Sequence, residues 1–225
     1  VDFMKILKVP VISGKDSLSS TYRGKDGTTI KIPPVLCISA FGKIPDVTKT
    51  VSSDFKKTGS TIVLVGKPDI NSMGGSTYFD VFSQRHPERS EGSVPHVDLK
   101  LLPKVLTSVH NAIKTGEVLA CHDISEGGLL TTLFEMSLGG GVGVVIDVSK
   151  ISGERADYIL FNETAGCFVV EVESEETVEK LFGIVPHTIL GQTKEDQIIS
   201  VQNVFDVDIK QLELVWKGPM KEIFG

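Results

Sequence analysis

At 225 residues, with 40% hydrophobic and 23% charged content, the chain has the length of one large domain or two small ones and can bury a sizeable core. A formal net charge of −6 and the lack of a lysine and arginine cluster argue against a nucleic-acid surface. No apolar run approaches the roughly 20 residues of a membrane span, and no signal-peptide plan opens the chain, so a cytoplasmic protein is expected. The cysteines Cys37, Cys121 and Cys167 lie apart in apolar runs, without metal-ligand spacing or a disulfide framework. They read as reduced core residues, with Cys121 beside His122 as a minor thiol alternative.

Residues 1–8 read as the end of a helix feeding a strand at 10–13, so the chain is expected to begin inside a domain. Strands are predicted at 28–32 and 34–44, followed by a polar crossing segment at 46–57. The run Thr-Ile-Val-Leu-Val-Gly at 61–66 predicts a short buried strand, ended by the breaker cluster Gly66-Lys67-Pro68. Gly74, Gly75 and Ser76 precede an apolar segment that fits either a helix capped by Ser76 or a strand. Residues 83–95 are polar, with Pro87 and Gly92, and read as an exposed loop.

From 98 to 114 the apolar residues Leu101, Leu102, Val105, Leu106, Val109 and Ile113 fall at i, i+3, i+4 spacing, an amphipathic helix that ends before Gly116. A short strand at 117–120 follows, then a second helix marked by Leu130, Leu133, Phe134 and Leu138, broken by the glycines of 139–143. Strands are predicted at 144–148, 167–173, 184–190 and 197–201, with helices at 154–160 and 175–182. Alternating helices and strands define an α/β fold with a mixed sheet. The domains expected are a β-rich portion at 1–50 and an α/β domain at 51–225.

Two clusters carry chemistry. In Cys121-His122-Asp123-Ile124-Ser125-Glu126-Gly127-Gly128-Leu129, a strand turns into a helix. Unpaired N–H groups and the helix dipole favour an anion there, the glycines allow close approach, and Asp123 offers a carboxylate to Mg²⁺. The same residues also suit a plain structural turn, with Ser125 as N-cap and Gly127 and Gly128 packing on the sheet. The second cluster, Ser13-Gly14-Lys15-Asp16-Ser17, lacks P-loop spacing and fits either a phosphate grip or a polar turn.

In order and spacing, residues 10–19, the run Ile38 to Ile44 with Asp46 and Val47, Gly74-Gly75-Ser76, and residues 122–129 with Glu135 and Met136 resemble phosphoribosylformylglycinamidine synthase. The resemblance implies a mixed-sheet C-terminal domain of the aminoimidazole ribonucleotide synthetase type, preceded by the end of a barrel-forming N-terminal-type domain. It also implies an ATP-dependent ligase that forms a carbon–nitrogen bond, converting formylglycinamide ribonucleotide to the amidine with glutamine-derived ammonia, in purine biosynthesis. ATP or ADP and Mg²⁺ are the implied cofactors; the partners are the N-terminal half of the synthetase and a glutaminase domain or subunit. By the same resemblance Asp123 holds the metal, while Gly14, Lys15, Asp16, Ser17, Ser125, Gly127 and Gly128 contact nucleotide or substrate. Lys15 stands where the small form carries a magnesium-binding Asn, and a protonated ammonium cannot ligate a cation. His122 is the one candidate for catalysis, beside a structural role at the strand end. Two alternatives stand: a half that holds nucleotide as a structural element, and another ATP-using member of the superfamily.

Overall fold

The computed structural model describes residues 2–15, 21–31, 36–83 and 93–225. Two compact units divide the chain, Val1–Val47 and Thr48–Gly225. In the first, helix α1 (Asp2–Leu7) precedes a hairpin of β1 (Thr21–Arg23) and β2 (Thr29–Lys31), paired antiparallel with Thr21 opposite Lys31. Its turn closes through Gly24 N–H to the Thr28 carbonyl (2.7 Å) and Thr28 N–H to the Asp26 carboxylate (3.0 Å). The strands expected at 10–13 and over 36–44 do not form; residues 34 and 35 of the latter lie outside the described residues. The physical reason is that a strand needs a partner for its backbone groups, and these segments pair with no strand among the described residues. Leu36, Ile38 and Phe41 accordingly stand exposed.

The second unit is built on a seven-stranded mixed sheet. Its strands are β3 (Thr61–Val65), β4 (Val118–Asp123), β5 (Gly143–Ile146), β6 (Phe168–Val172), β7 (His187–Lys194), β8 (Ile198–Val201) and β9 (Phe205–Asp208). They lie in the order β4-β6-β3-β7-β5-β8-β9, antiparallel throughout except for β5 with β8. Central β3 is buried along its whole length, which explains its unbroken apolar run. Ile62 and Leu64 join one core, while Val63 and Val65 join another on the opposite face.

Helices cover both faces. On the Val63 side lie α3 (Leu102–Thr115), through Val105, Val109 and Ala112, and α6 (Val178–Phe182), through Val178 and Phe182. α3 begins where the Asp98 carboxylate accepts the Lys100 and Leu101 N–H groups and ends at left-handed Gly116, as its spacing predicts. On the Ile62 side lie α4 (Gly128–Gly140), through Leu129, Leu133 and Met136, and α5 (Ala156–Phe161), through Ile159 and Leu160.

The apolar segment after Ser76 forms helix α2 (Thr77–Ser83), which settles the helix-or-strand alternative; the Ser76 hydroxyl accepts the Phe79 N–H at 3.2 Å. Of the loop expected at 83–95, residues 84–92 lie outside the described residues. Three elements went unpredicted: β1, β9 and the terminal helix α7 (Ile209–Phe224), which Asp208 caps through the Lys210 N–H.

The polar segment before β3 is a clasp rather than a crossing. Phe55 is fully buried and its N–H donates to Met136 of α4 (3.0 Å). Glu171, also fully buried, accepts the Lys56 N–H (2.8 Å), the Lys57 N–H (3.3 Å) and the Ser60 hydroxyl (2.5 Å). The clasp also explains why α4 runs on through Gly139 and Gly140, where a break was expected: a Cβ at Gly140 would fall on the backbone of Phe55.

Candidate functional site

β4 is an edge strand, and it extends further than its apolar residues suggest, through Cys121, His122 and Asp123. Buried Ile124 then turns the chain, its N–H donating to the Cys167 carbonyl at 2.9 Å, and α4 leaves after Gly127. This turn presents Asp123, Ser125 and Glu126 to solvent. The Asp123 side chain is 63% exposed.

His122 is tied on both sides. Its Nδ1 lies 2.7 Å from the Asp123 carbonyl and 3.5 Å from the Asp123 carboxylate, and its Nε2 lies 3.2 Å from Glu135 on α4. The ring thereby fixes the strand end to the helix. Burial, with the Asp123 charge beside it, pushes the Cys121 thiol up to about 12, which disfavours the thiolate a nucleophile needs; burial does the same to Cys167.

Helix α4 starts without a side-chain cap, so Ser125 is not its N-cap. Gly127 holds the cap position in the left-handed region (φ 80°), and Gly128, also left-handed (φ 70°), bonds back to the Ser125 carbonyl. A Cβ on Gly128 would stand 2.6 Å from the Phe161 carbonyl carbon and 2.8 Å from the carbonyl oxygens of Leu160 and Asn162. Its lack of a side chain thus serves the close packing of α4 on the end of α5.

The residue that sequence reasoning missed is Glu163. One oxygen of its carboxylate accepts the N–H groups of Gly127 (2.8 Å) and of Thr77, the first residue of α2 (2.9 Å). Its neighbours hold the same loops together. Buried Asn162 donates to the Asp69 and Ser72 carbonyls (2.9 and 3.1 Å), and the Thr164 hydroxyl accepts the Asp69 N–H (2.9 Å) while donating to Asn162. The one available signal was three polar residues in a row between apolar α5 and apolar β6.

Beside this loop opens a cavity of about 650 Å³ lined by Lys67, Asp69, His96, Asp98, Arg155 and Tyr158, among others. Arg155 lies 4.0 Å over the Tyr158 ring and pairs with Asp157, which also accepts the Tyr78 hydroxyl (2.6 Å). Arg155 holds the Asp157 carboxyl below the usual range, and burial together with Asp157 pushes Tyr78 up to about 12.

The other predicted site residues belong to the first unit. Gly14 and Lys15 are exposed in irregular backbone, and Asp16 and Ser17 lie outside the described residues. Among the described residues, no group of three or more His, Cys, Asp or Glu is placed to hold a metal ion. Nor is any helix among them long and apolar enough to cross a membrane.

A mixed sheet clothed in helices on both faces, with a glycine turn at the end of its edge strand, defines the class. Residues 57–203 match the family model for the AIR synthase related protein, C-terminal domain, and the chain belongs to that family. Within it, the full length of the chain is 32% identical to the phosphoribosylformylglycinamidine synthase subunit PurL of Deinococcus radiodurans, of which it covers 31%. The chain therefore spans about a third of that relative. The fold is similar to that of T. maritima PurL complexed with FGAR (TM-score 0.60, 16% identity, 74% of this chain and 30% of that one). The same protein complexed with ATP aligns with a TM-score of 0.52 at 15% identity, over 74% of this chain and 27% of that one.

Proposed function

We propose that the chain is part of a synthetase that converts the amide of formylglycinamide ribonucleotide to an amidine, using ATP and ammonia, in purine synthesis. The observation that carries this reading is the whole-chain match to a subunit of that synthase, with Asp123, Ser125 and Glu126 exposed in the turn that ends β4. Bound ATP would supply the phosphoryl group that converts the amide oxygen into a leaving phosphate, and ammonia would then take its place on carbon. This chain's residues hold and orient. Asp123 would hold Mg²⁺: an open carboxylate suits a hard cation that keeps several waters and takes its remaining oxygens from phosphates. The exposed Ser125 hydroxyl would reach the nucleotide, and His122 would keep Asp123 in place.

Gly14, Lys15, Asp16 and Ser17 are assigned to the substrate or nucleotide, with Lys15 acting as a point charge. Gly127 and Gly128 shape the turn. The remainder of the synthetase and a glutaminase supplying ammonia are the partners, and the cytoplasm is the location. A second reading holds the nucleotide here as a structural element, on the same exposed Asp123 and Ser125.

Calorimetry of the purified chain with Mg-ATP and Mg-ADP, with Asp123→Ala as control, tests the site. Absence of binding by the wild type removes it. Binding lost in D123A, together with amidine formation lost when the full-length synthetase carries the same change and is supplied with ammonia, supports the catalytic reading. Binding lost but turnover retained supports the structural one.

A further inference from the structure

The start of α4 has the chemistry of an anion seat, and the anion in it belongs to the protein. Glu163 sets a single carboxylate oxygen between the N–H groups of Gly127 and Thr77, while the Gly128 N–H is spent on the Ser125 carbonyl. The carboxylate has little freedom to leave, because Asn162 and Thr164 on either side are anchored to the 69–72 loop. We propose that Glu163 is a positioning residue: a resident anion that joins the turn before α2 to the turn before α4, holds Asp123 and Ser125 at the rim, and denies the helix start to phosphate. A nucleotide in this unit is then held from the rim, through Asp123 and Ser125, and not by the helix N-terminus. Only this last step rests on the proposed function; the occupied seat stands without it.

The test compares Glu163→Ala and Glu163→Gln in the full chain. The glutamine keeps an oxygen that accepts both N–H groups, so E163Q should melt close to the wild type. E163A leaves both donors without their partner and should lower Tm by about 5 °C. Acetate has the size of the group removed, so it should raise the Tm of E163A by more than it raises that of the wild type, with sodium chloride at equal ionic strength as control. An E163A protein that melts like the wild type, or that acetate and chloride affect alike, overturns the proposal. Should E163A fail to fold, E163Q decides: a melt as low as that of a destabilised core variant would show that the bonds to Thr77 and Gly127 are not what Glu163 provides.

Calorimetry with Mg-ADP adds a readout that stability alone does not move. Where the wild type binds, E163A at a temperature where it is folded should bind about tenfold more weakly, because Asp123 and Ser125 lose their fixed position. Unchanged or tighter affinity counts against positioning. Absence of binding by the wild type removes the nucleotide reading and leaves the resident anion to be judged by the melts.

Discussion

Replacing Gly128 by alanine separates two explanations of the same glycine. If its purpose is to let a phosphate approach, the substitution should spare stability and weaken ligand binding. The geometry says otherwise. At φ 70° an L-residue pays the left-handed cost of about 1–2 kcal/mol. Its Cβ would then meet backbone on three sides, 2.6 Å from Phe161 and 2.8 Å from the oxygens of Leu160 and Asn162. Backbone cannot rotate away as a side chain can, so overpacking adds about 1–3 kcal/mol. The expected loss is about 2–5 kcal/mol, a large part of the 5–15 kcal/mol typical of a folded domain. Gly75→Ala is the control: its φ is 74° and a Cβ there has nothing within 4 Å, so it should lose only the conformational part. Urea unfolding followed by far-ultraviolet circular dichroism measures both. The single tryptophan, Trp216, is a poor probe because it stands exposed on α7. With m unchanged, a difference of less than about 1 kcal/mol between the two variants would refute the packing argument.

The buried clasp predicts that Glu171→Ala, which strands the Lys56 and Lys57 N–H groups and takes one of several partners from the Ser60 hydroxyl, costs about 3–5 kcal/mol, and that Glu171→Gln, which keeps one acceptor, costs less; equal melts for E171A and the wild type would count against it. A neutral thiol reagent should label exposed Cys37 quickly, half-buried Cys121 slowly because its thiol is pushed up to about 12, and buried Cys167 only after unfolding, so fast labelling of Cys167 argues against its burial. Tyr78 is raised from 10.0 to about 12, so the stability linked to it is present below pH 10 and lost between the two values, and Tyr78→Phe should flatten that part of the stability curve. Asp157 is lowered, chiefly by Arg155, so its contribution is present above the ordinary carboxylate value and lost as pH falls through the folded value; Asp157→Asn should remove that acid-side dependence in the same melts.

What could be read from the residues follows from which forces are local. α3 carried its own spacing and its own glycine stop, and β3 declared its double burial by an unbroken apolar run. The segments at 10–13 and 36–44 show the opposite case: they have strand composition, but a strand is completed by a neighbour that composition does not name. α7 was hidden by Gly218 and Pro219, and after Ile209 and Leu212, which touch the core, its larger apolar side chains stand exposed. At the site, the turn was legible as a turn, but the roles of its residues were not. Gly128 answers to the backbone of residues 160–162, and the donor at Gly127 answers to Glu163, 36 positions along the chain. Contacts at such separations are set by the fold rather than by the motif.

The charge at the turn narrows how any phosphate could be held there. Asp123 and Glu126 face solvent, Glu135 lies against His122, and Glu163 sits behind the backbone of Gly127. A phosphate brought to about 4 Å from one such carboxylate is repelled by about 1 kcal/mol in water and by about 4 kcal/mol at the effective dielectric of a partly closed surface. Backbone donors would ordinarily offset this at a helix start, but Glu163 and the Ser125 carbonyl have taken those of Gly127 and Gly128. A divalent cation reverses the sign: between a carboxylate and a phosphate it attracts both, so acidity that repels a bare anion would attract its metal complex. On the proposed reading the turn would favour a metal–nucleotide complex over a free nucleotide, and Asp123, the open carboxylate at the strand end, is where the metal would be met.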